Sequence, residues 1–210
     1  MILFRNVFST SLENFSLQIE KGEFIIINSS DSESLNQIIK LLGAYSLPDK
    51  GLLRLPFKRE LMKKEMEIVY SEQFFLNDRK VEDNLKYTFQ IKEFSLSIFK
   101  VRLKKILDLI KINNCLELYP QELKAHQKVR VGIARALLSY PSILILFDSL
   151  QYIDEVNSQS IFHLLENINN NNITIIYLSR DSNFCHRHRK IKKVNIDQKK
   201  YLEKGLNGNK

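Results

Sequence analysis

The chain has 210 residues, 44% of them hydrophobic and 27% charged, with 32 Lys+Arg against 24 Asp+Glu for a net charge of +8. That length suits a single domain that buries a core without disulfides, and two cysteines, Cys115 and Cys185, imply no disulfide framework and fit a reducing compartment. No apolar run reaches the roughly 18 residues of a membrane span, Arg5 interrupts any signal-like N-terminus, and the positive balance favours anionic partners, with nucleic acid supported by charge alone.

Residues 1–8 and 13–20 read as strands, the second by its alternation. Lys21-Gly22-Glu23 is a turn, and Phe24 to Ile27 is a buried strand. A polar stretch follows, N-S-S-D-S-E-S-L-N-Q at 28–37, then a helix from Ile38 to Leu42 with Gly43 as its C′ glycine. Acidic and hydroxyl side chains are what a helix N-terminus accepts as a cap, so 28–37 reads as a loop that caps itself. Pro48 to Gly51 turns into a strand at Leu52 to Leu55, 57–67 is charged and helical, and Ile68 to Tyr70 is a strand.

Residues 82–112 are largely helical, with Leu85, Phe89, Phe94, Ile106 and Ile110 among the apolar positions and Lys and Arg on the other face. Phe74, Phe75 and Phe89 either line an aromatic groove or are core. From Tyr119 the chain reads Y-P-Q-E-L-K-A-H-Q-K-V-R-V-G-I-A-R-A-L-L, a turn and a helix from Ala125 to Ser139. A turn at Tyr140-Pro141 leads to the apolar run Ile143 to Phe147, which ends in Asp148. An acid at the C-terminal end of such a strand lies where open α/β sheets place chemistry. Val156 to Ile168 is a helix, Asn169 to Asn172 a turn and Ile173 to Leu178 a buried strand; Ile191 to Ile196 and Lys199 to Leu202 close the chain. Cys185, His186 and His188 lie close together, but no fourth metal ligand or partner group is evident.

The order K-G-E-F and strand, polar loop, L-x-x-x-Q, I-A-R-A-L, P-x-I-L-I-L, acid, then I-D resembles the ATP-binding cassette (ABC) ATPase domain. The resemblance covers nearly the whole chain. It implies an α/β, P-loop NTPase-like domain over 1–210 with a parallel core sheet, a small antiparallel β subdomain and a helical subdomain at roughly 82–125. The run L-N-D-R-K-V-E-D-N-L at 76–85 is similar to the cell-division (FtsE) branch, with lipoprotein-release ATPases as neighbours.

The family's phosphate loop is G-x-x-G-x-G-K-[ST], whose glycines let the backbone wrap phosphates, whose Lys reaches them and whose hydroxyl holds Mg²⁺. Counted without gaps, it falls on Ser29, Ser30, Asp31, Ser32, Glu33, Ser34, Leu35, Asn36 and Gln37. Serines stand for the glycines, Leu35 for the lysine, and Asp31 and Glu33 bring negative charge to a polyanion site. The adenine-stacking aromatic is implied at Phe8, which is otherwise core. The Q-loop glutamine falls on Ser71, with Gln73 two residues late. The signature L-S-G-G-Q falls on Leu123, Lys124, Ala125, His126 and Gln127; Arg130 and Arg135 are structural. The Mg²⁺ aspartate falls on Phe147, the catalytic glutamate on Asp148, the D-loop acid on Asp154 and the H-loop histidine on Arg180. A one-residue slip would make Asp148 the Mg²⁺ ligand and leave no base.

Two functions follow from the resemblance. One is a non-hydrolysing ABC-type subunit, with no cofactor and no metal, on the cytoplasmic face of the inner membrane. It would partner an FtsX-like or permease-type integral membrane protein, as a homodimer or paired with an ABC homologue. The alternative is a working ATPase that takes ATP and Mg²⁺ and uses Lys124, Asp148 or Arg180 in place of the usual groups. A nucleic-acid-binding module would rest on net charge alone, and no nucleic-acid partner is expected.

Overall fold

A computed structural model describes residues 1–71, 74–91, 96–181 and 191–197. Gln73, Phe94, the Cys185–Lys190 cluster and the strand expected at Lys199 to Leu202 lie outside them.

The alternating opening segments pair as an antiparallel hairpin, β1 (Ile2–Ser9) with β2 (Leu12–Ile19). Their inward residues, Ile2, Phe4, Val7, Leu12, Phe15 and Ile19, are almost fully buried, and the rings of Phe4 and Phe15 meet edge-on at 5.2 Å. A third strand, β4 (Lys50–Arg54), pairs on the other side of β1, giving the order β2-β1-β4. Gly51 takes φ +92° there, and a Cβ would stand 2.2 Å from the Asn6 carbonyl oxygen, so only glycine fits. Phe8, on β1, is 38% exposed and pairs with Lys50, so it is not the core residue that its apolar side chain suggested; it lies at the rim, past the bulge at Asn6.

The second sheet is parallel throughout, in the order β5-β6-β7-β3-β8. Its strands are β3 (Phe24–Asn28), β5 (Met66–Tyr70), β6 (Ile143–Phe147), β7 (Thr174–Ser179) and β8 (Lys192–Asn195). Every residue of β3 and β7 is buried, as expected of central parallel strands covered on both faces. Alternate residues of β3 serve two cores. Ile25 and Ile27 pack with the antiparallel sheet and α1 (Ser32–Leu42). Phe24 and Ile26 pack with α3 (Val81–Ile91), α4 (Leu96–Ile110), α5 (Ala125–Leu138) and α6 (Glu155–Asn169). The charged segment before β5 is α2 (Arg59–Glu65). This is the expected class: a parallel core sheet, a small antiparallel sheet and a helical layer.

Three local expectations change. α1 begins at Ser32 rather than Ile38, because Asp31 caps it six residues early. Gly43 is the C-cap at φ −74°, and the left-handed residue is Ala44 at φ 55°. The Tyr45 N–H reaches the Lys40 carbonyl at 2.8 Å and the Ala44 N–H the Leu41 carbonyl at 3.1 Å, a complete Schellman closure built on alanine. The aromatic groove does not form as a unit. Phe89 is core, 5.3 Å from Phe99, while Phe75 is half-buried and Phe74 is 78% exposed.

Candidate phosphate-loop and strand-end site

The carboxyl ends of β3, β6 and β7 lie side by side, because Ile27 pairs with Leu178 and Leu178 with Phe147. What leaves those ends is therefore brought together: the β3–α1 junction, Asp148 and Arg180.

The junction is short. After Asn28 come only Ser29, Ser30 and Asp31 before the helix. The Asp31 carboxylate accepts from the Glu33 N–H at 3.0 Å, from the Ser34 N–H at 3.1 Å and from the Ser34 hydroxyl at 2.6 Å. This is an N-cap satisfying the donors that a helix start leaves open. The first turn of α1 thus occupies Ser32, Glu33, Ser34 and Leu35, where the resemblance placed the wrapping part of a phosphate loop. Backbone hydrogen bonding explains the change. Serine and acidic side chains offer a helical turn its cap, whereas glycines would have favoured an open loop.

The donors of Ser29, Ser30 and Asp31 are also engaged. The Ser29 N–H donates to the Ser179 carbonyl at 3.1 Å, and the Asp31 N–H to the Ser29 hydroxyl at 3.1 Å. Asp197, just beyond β8, accepts from the Ser29 hydroxyl and from the Ser30 N–H, each at 2.7 Å. A carboxylate of this chain therefore sits on the junction's backbone amide where an anionic ligand would bind. The buried Asn28 amide ties the junction to β7 by donating to the Ser179 carbonyl at 2.8 Å.

Side chains of the first turns point elsewhere. Leu35, in the lysine's position, is fully buried among the apolar residues between the sheets. Asn36 is exposed. Gln37 is buried and donates to the hydroxyls of Ser9 and Ser46. The Ser34 hydroxyl also donates to the Ser11 carbonyl at 2.8 Å.

Asp148 follows β6 in a left-handed conformation, φ 46°, which short polar side chains tolerate. Its N–H donates to the Leu178 carbonyl at 2.9 Å, and its carboxylate is 2% exposed. One oxygen accepts from the Arg180 N–H at 2.8 Å, and the other is ion-paired with the Arg180 guanidinium. The guanidinium reaches on to Gln151 at 2.8 Å and Ser32 at 3.5 Å. The buried charge is thereby paired and hydrogen-bonded, as a buried carboxylate must be. The two residues standing for a general base and a phosphate-sensing histidine bond to one another. Phe147 closes the end of β6 with its ring edge-on to Tyr70 at 6.1 Å and half-buried; it has no donor atom for a metal. Ser71 is half-buried directly after that Tyr70.

Other predicted site residues form separate arrangements. Lys124 is the exposed N-cap of α5, and its N–H donates to the Gln127 side chain at 2.8 Å. The Gln127 amide reaches the Cys115 sulfur at 3.3 Å; Ala125 is exposed and His126 half-buried. Asp154 caps α6, accepting from the Asn157 N–H at 3.0 Å and its side chain at 2.8 Å. Those bonds hold its carboxyl below the ordinary aspartate range, side-chain bond first, with the His126 charge adding a little. Arg130 donates to the Ile110 carbonyl and the Ser160 hydroxyl, and Arg135 to the Phe74 carbonyl while lying over the Phe75 ring. Both act as struts, and burial lowers the pKa of each.

Asp197 and Gln151 were not foreseen as part of this site. Asp197 lies 168 residues from Ser29, and no local pattern signals such a pairing. Among the described residues no group of His, Cys, Asp and Glu is arranged to hold a metal, and no helix is long and apolar enough to cross a membrane.

No protein-family model matches the sequence. The chain is 28% identical over 191 residues to a methionine import ATP-binding protein, MetN 2, of Bacillus cereus, covering 84% of this chain and 56% of that protein. A MetN of Corynebacterium efficiens is 24% identical over 187 residues, covering 84% and 52%. The chain thus spans about half the length of the curated relatives it matches. Among solved structures, cbiO1 of Clostridium perfringens, part of the ABC transporter complex cbiONQ, superposes with a TM-score of 0.77 at 19% identity, over 86% of this chain and 78% of that one. A bacterial ABC transporter cassette solved as a dimer gives 0.72 at 20% identity, over 93% and 95%. These likenesses agree with the strand order and the two-sheet layout: the chain has the fold of the ATP-binding domain of ABC transporters.

Proposed function

We propose that the chain is a non-hydrolysing ABC-type subunit, a cytoplasmic scaffold or regulatory partner of an integral membrane protein. The observation that carries this reading is the Asp31-capped first turn of α1, which fills the place of the phosphate loop. Phosphoryl transfer rests on positioning and electrostatic stabilisation of the phosphates. Here Asp31 and Asp197 hold the amides, Leu35 is in the core, and Asp148 is ion-paired. ATP and Mg²⁺ do not fit these residues.

The partner class is supported by the two curated relatives named above, which are import ATP-binding proteins and not the cell-division proteins that the 76–85 run suggested. A permease-type membrane protein is therefore favoured over an FtsX-like one. The association would be a homodimer or a pair with an ABC homologue, at the cytoplasmic face of the inner membrane. Equilibrium titration of the purified chain with a fluorescent ATP analogue and Mg²⁺ tests the proposal. The expected result is no saturable binding and no turnover; tight binding with steady phosphate release overturns it.

One observation favours a second reading: the relatives carry the description ATP-binding. In that case Asp148 keeps a catalytic role and Asp148→Asn abolishes turnover. The first reading gives no turnover to abolish.

A further inference from the structure

The outward face of α4 is unusual for a helix that already buries an apolar side. Phe99, Leu103, Ile106, Leu107 and Ile110 face the core. On the opposite side Ile98, Val101, Lys105 and Leu109 recur at helical spacing, and the three apolar residues are 51%, 61% and 37% exposed. Lys100 and Lys104 lie along one edge of this stripe, both exposed and one turn apart, where like charges disfavour an isolated helix. Asp108 is the one acid in the fifteen-residue helix.

From this face we propose that α4 is an interfacial contact with an anionic lipid surface. Its apolar stripe would enter the headgroup boundary and its lysines would reach the lipid phosphates. Charge complementarity selects that occupant: Lys105 lies within the stripe, Lys100 and Lys104 line one edge of it, and the chain as a whole carries +8. A protein partner is the weaker fit, because lysine is depleted from protein interfaces, whereas long basic side chains suit a membrane boundary. The proposal goes beyond the non-hydrolysing reading and holds whether or not nucleotide binds.

The test is co-sedimentation of the full chain with vesicles of phosphatidylcholine alone and of phosphatidylcholine with about 30% phosphatidylglycerol, which carries the anionic surface charge. Binding is expected to the anionic vesicles and to fall with added salt. The triple variant Lys100→Gln, Lys104→Gln, Lys105→Gln is expected to weaken it on the order of 100-fold, about fivefold per lysine. Ile98→Ser with Val101→Ser is expected to weaken it as well. These positions are exposed, so far-UV dichroism and the thermal midpoint should match the parent chain. Equal binding to both vesicles, no binding to either, or full retention by the triple variant overturns the proposal; the last would place the attraction in another basic segment.

Discussion

The Asp148 carboxylate and the Arg180 guanidinium are ion-paired across the ends of β6 and β7, with the carboxylate buried and the Arg180 N–H completing its bonding. Arg180→Ala removes the guanidinium and leaves a buried charge with one main-chain donor. A loss of about 2 kcal/mol is expected from a hydrogen bond to a charged group. Asp148→Asn paired with Arg180→Ala should cost less than the sum of the two single changes, because they share one interaction. Urea unfolding of the four proteins in that cycle measures the coupling; additive losses would show that the pair contributes nothing to stability.

Leu35→Lys introduces the side chain that the family resemblance expects at this position and should not create nucleotide binding. Leu35 is fully buried in the core between the sheets. An ammonium placed there costs about 3 kcal/mol or more, unless the helix start unwinds. Calorimetry of the variant should show a lower midpoint and unchanged, absent nucleotide binding. A stable variant that binds ATP would mean that the first turn of α1 opens readily.

Ala44→Gly should stabilise the chain. Ala44 holds a left-handed conformation, φ 55°, at the C′ position of a complete Schellman closure. Relief of that backbone strain, less the added freedom of glycine in the unfolded chain, leaves a gain of about 0.5 kcal/mol. A rise in the denaturation midpoint at constant m-value is the expected observation.

Acid should loosen the start of α6. The bonds from Asn157 depress the Asp154 pKa, so the folded state binds this proton less readily than the unfolded chain. The contribution is complete above the unfolded value, roughly pH 4, and fades as pH falls through the lower folded value. Asp154→Asn keeps a capping group but removes the titration. Amide protection factors at the first turn of α6, taken relative to the intrinsic exchange rate at each pH, should fall in acid for the parent chain and lose that dependence in the variant.

The architecture was legible wherever apolar period and length agreed. Ile143 to Phe147 and the run at 173–178 read as buried parallel strands, and they are β6 and β7. The capping character of Asp31 was also readable from composition, but the place where the helix starts was not. That depends on whether the backbone donors of Glu33 and Ser34 find a local acceptor, and Asp31 supplies it. Phe8 misled because an apolar residue on an alternating strand reads as core, whereas the bulge at Asn6 carries it to the rim. The Asp148–Arg180 pair needed two strands in register, and the Asp197 contact needed a third; neither is encoded in a local pattern.

The bonds from Ser29 and Ser30 to Asp197 also fix an order of events during synthesis. These partners are separated by 168 and 167 residues, so the junction after β3 emerges from the ribosome long before its acceptor exists. Until β8 docks at the sheet edge, the Ser30 amide must find water or another anion instead. A nascent chain therefore presents an amide there that the finished protein has already occupied with its own carboxylate.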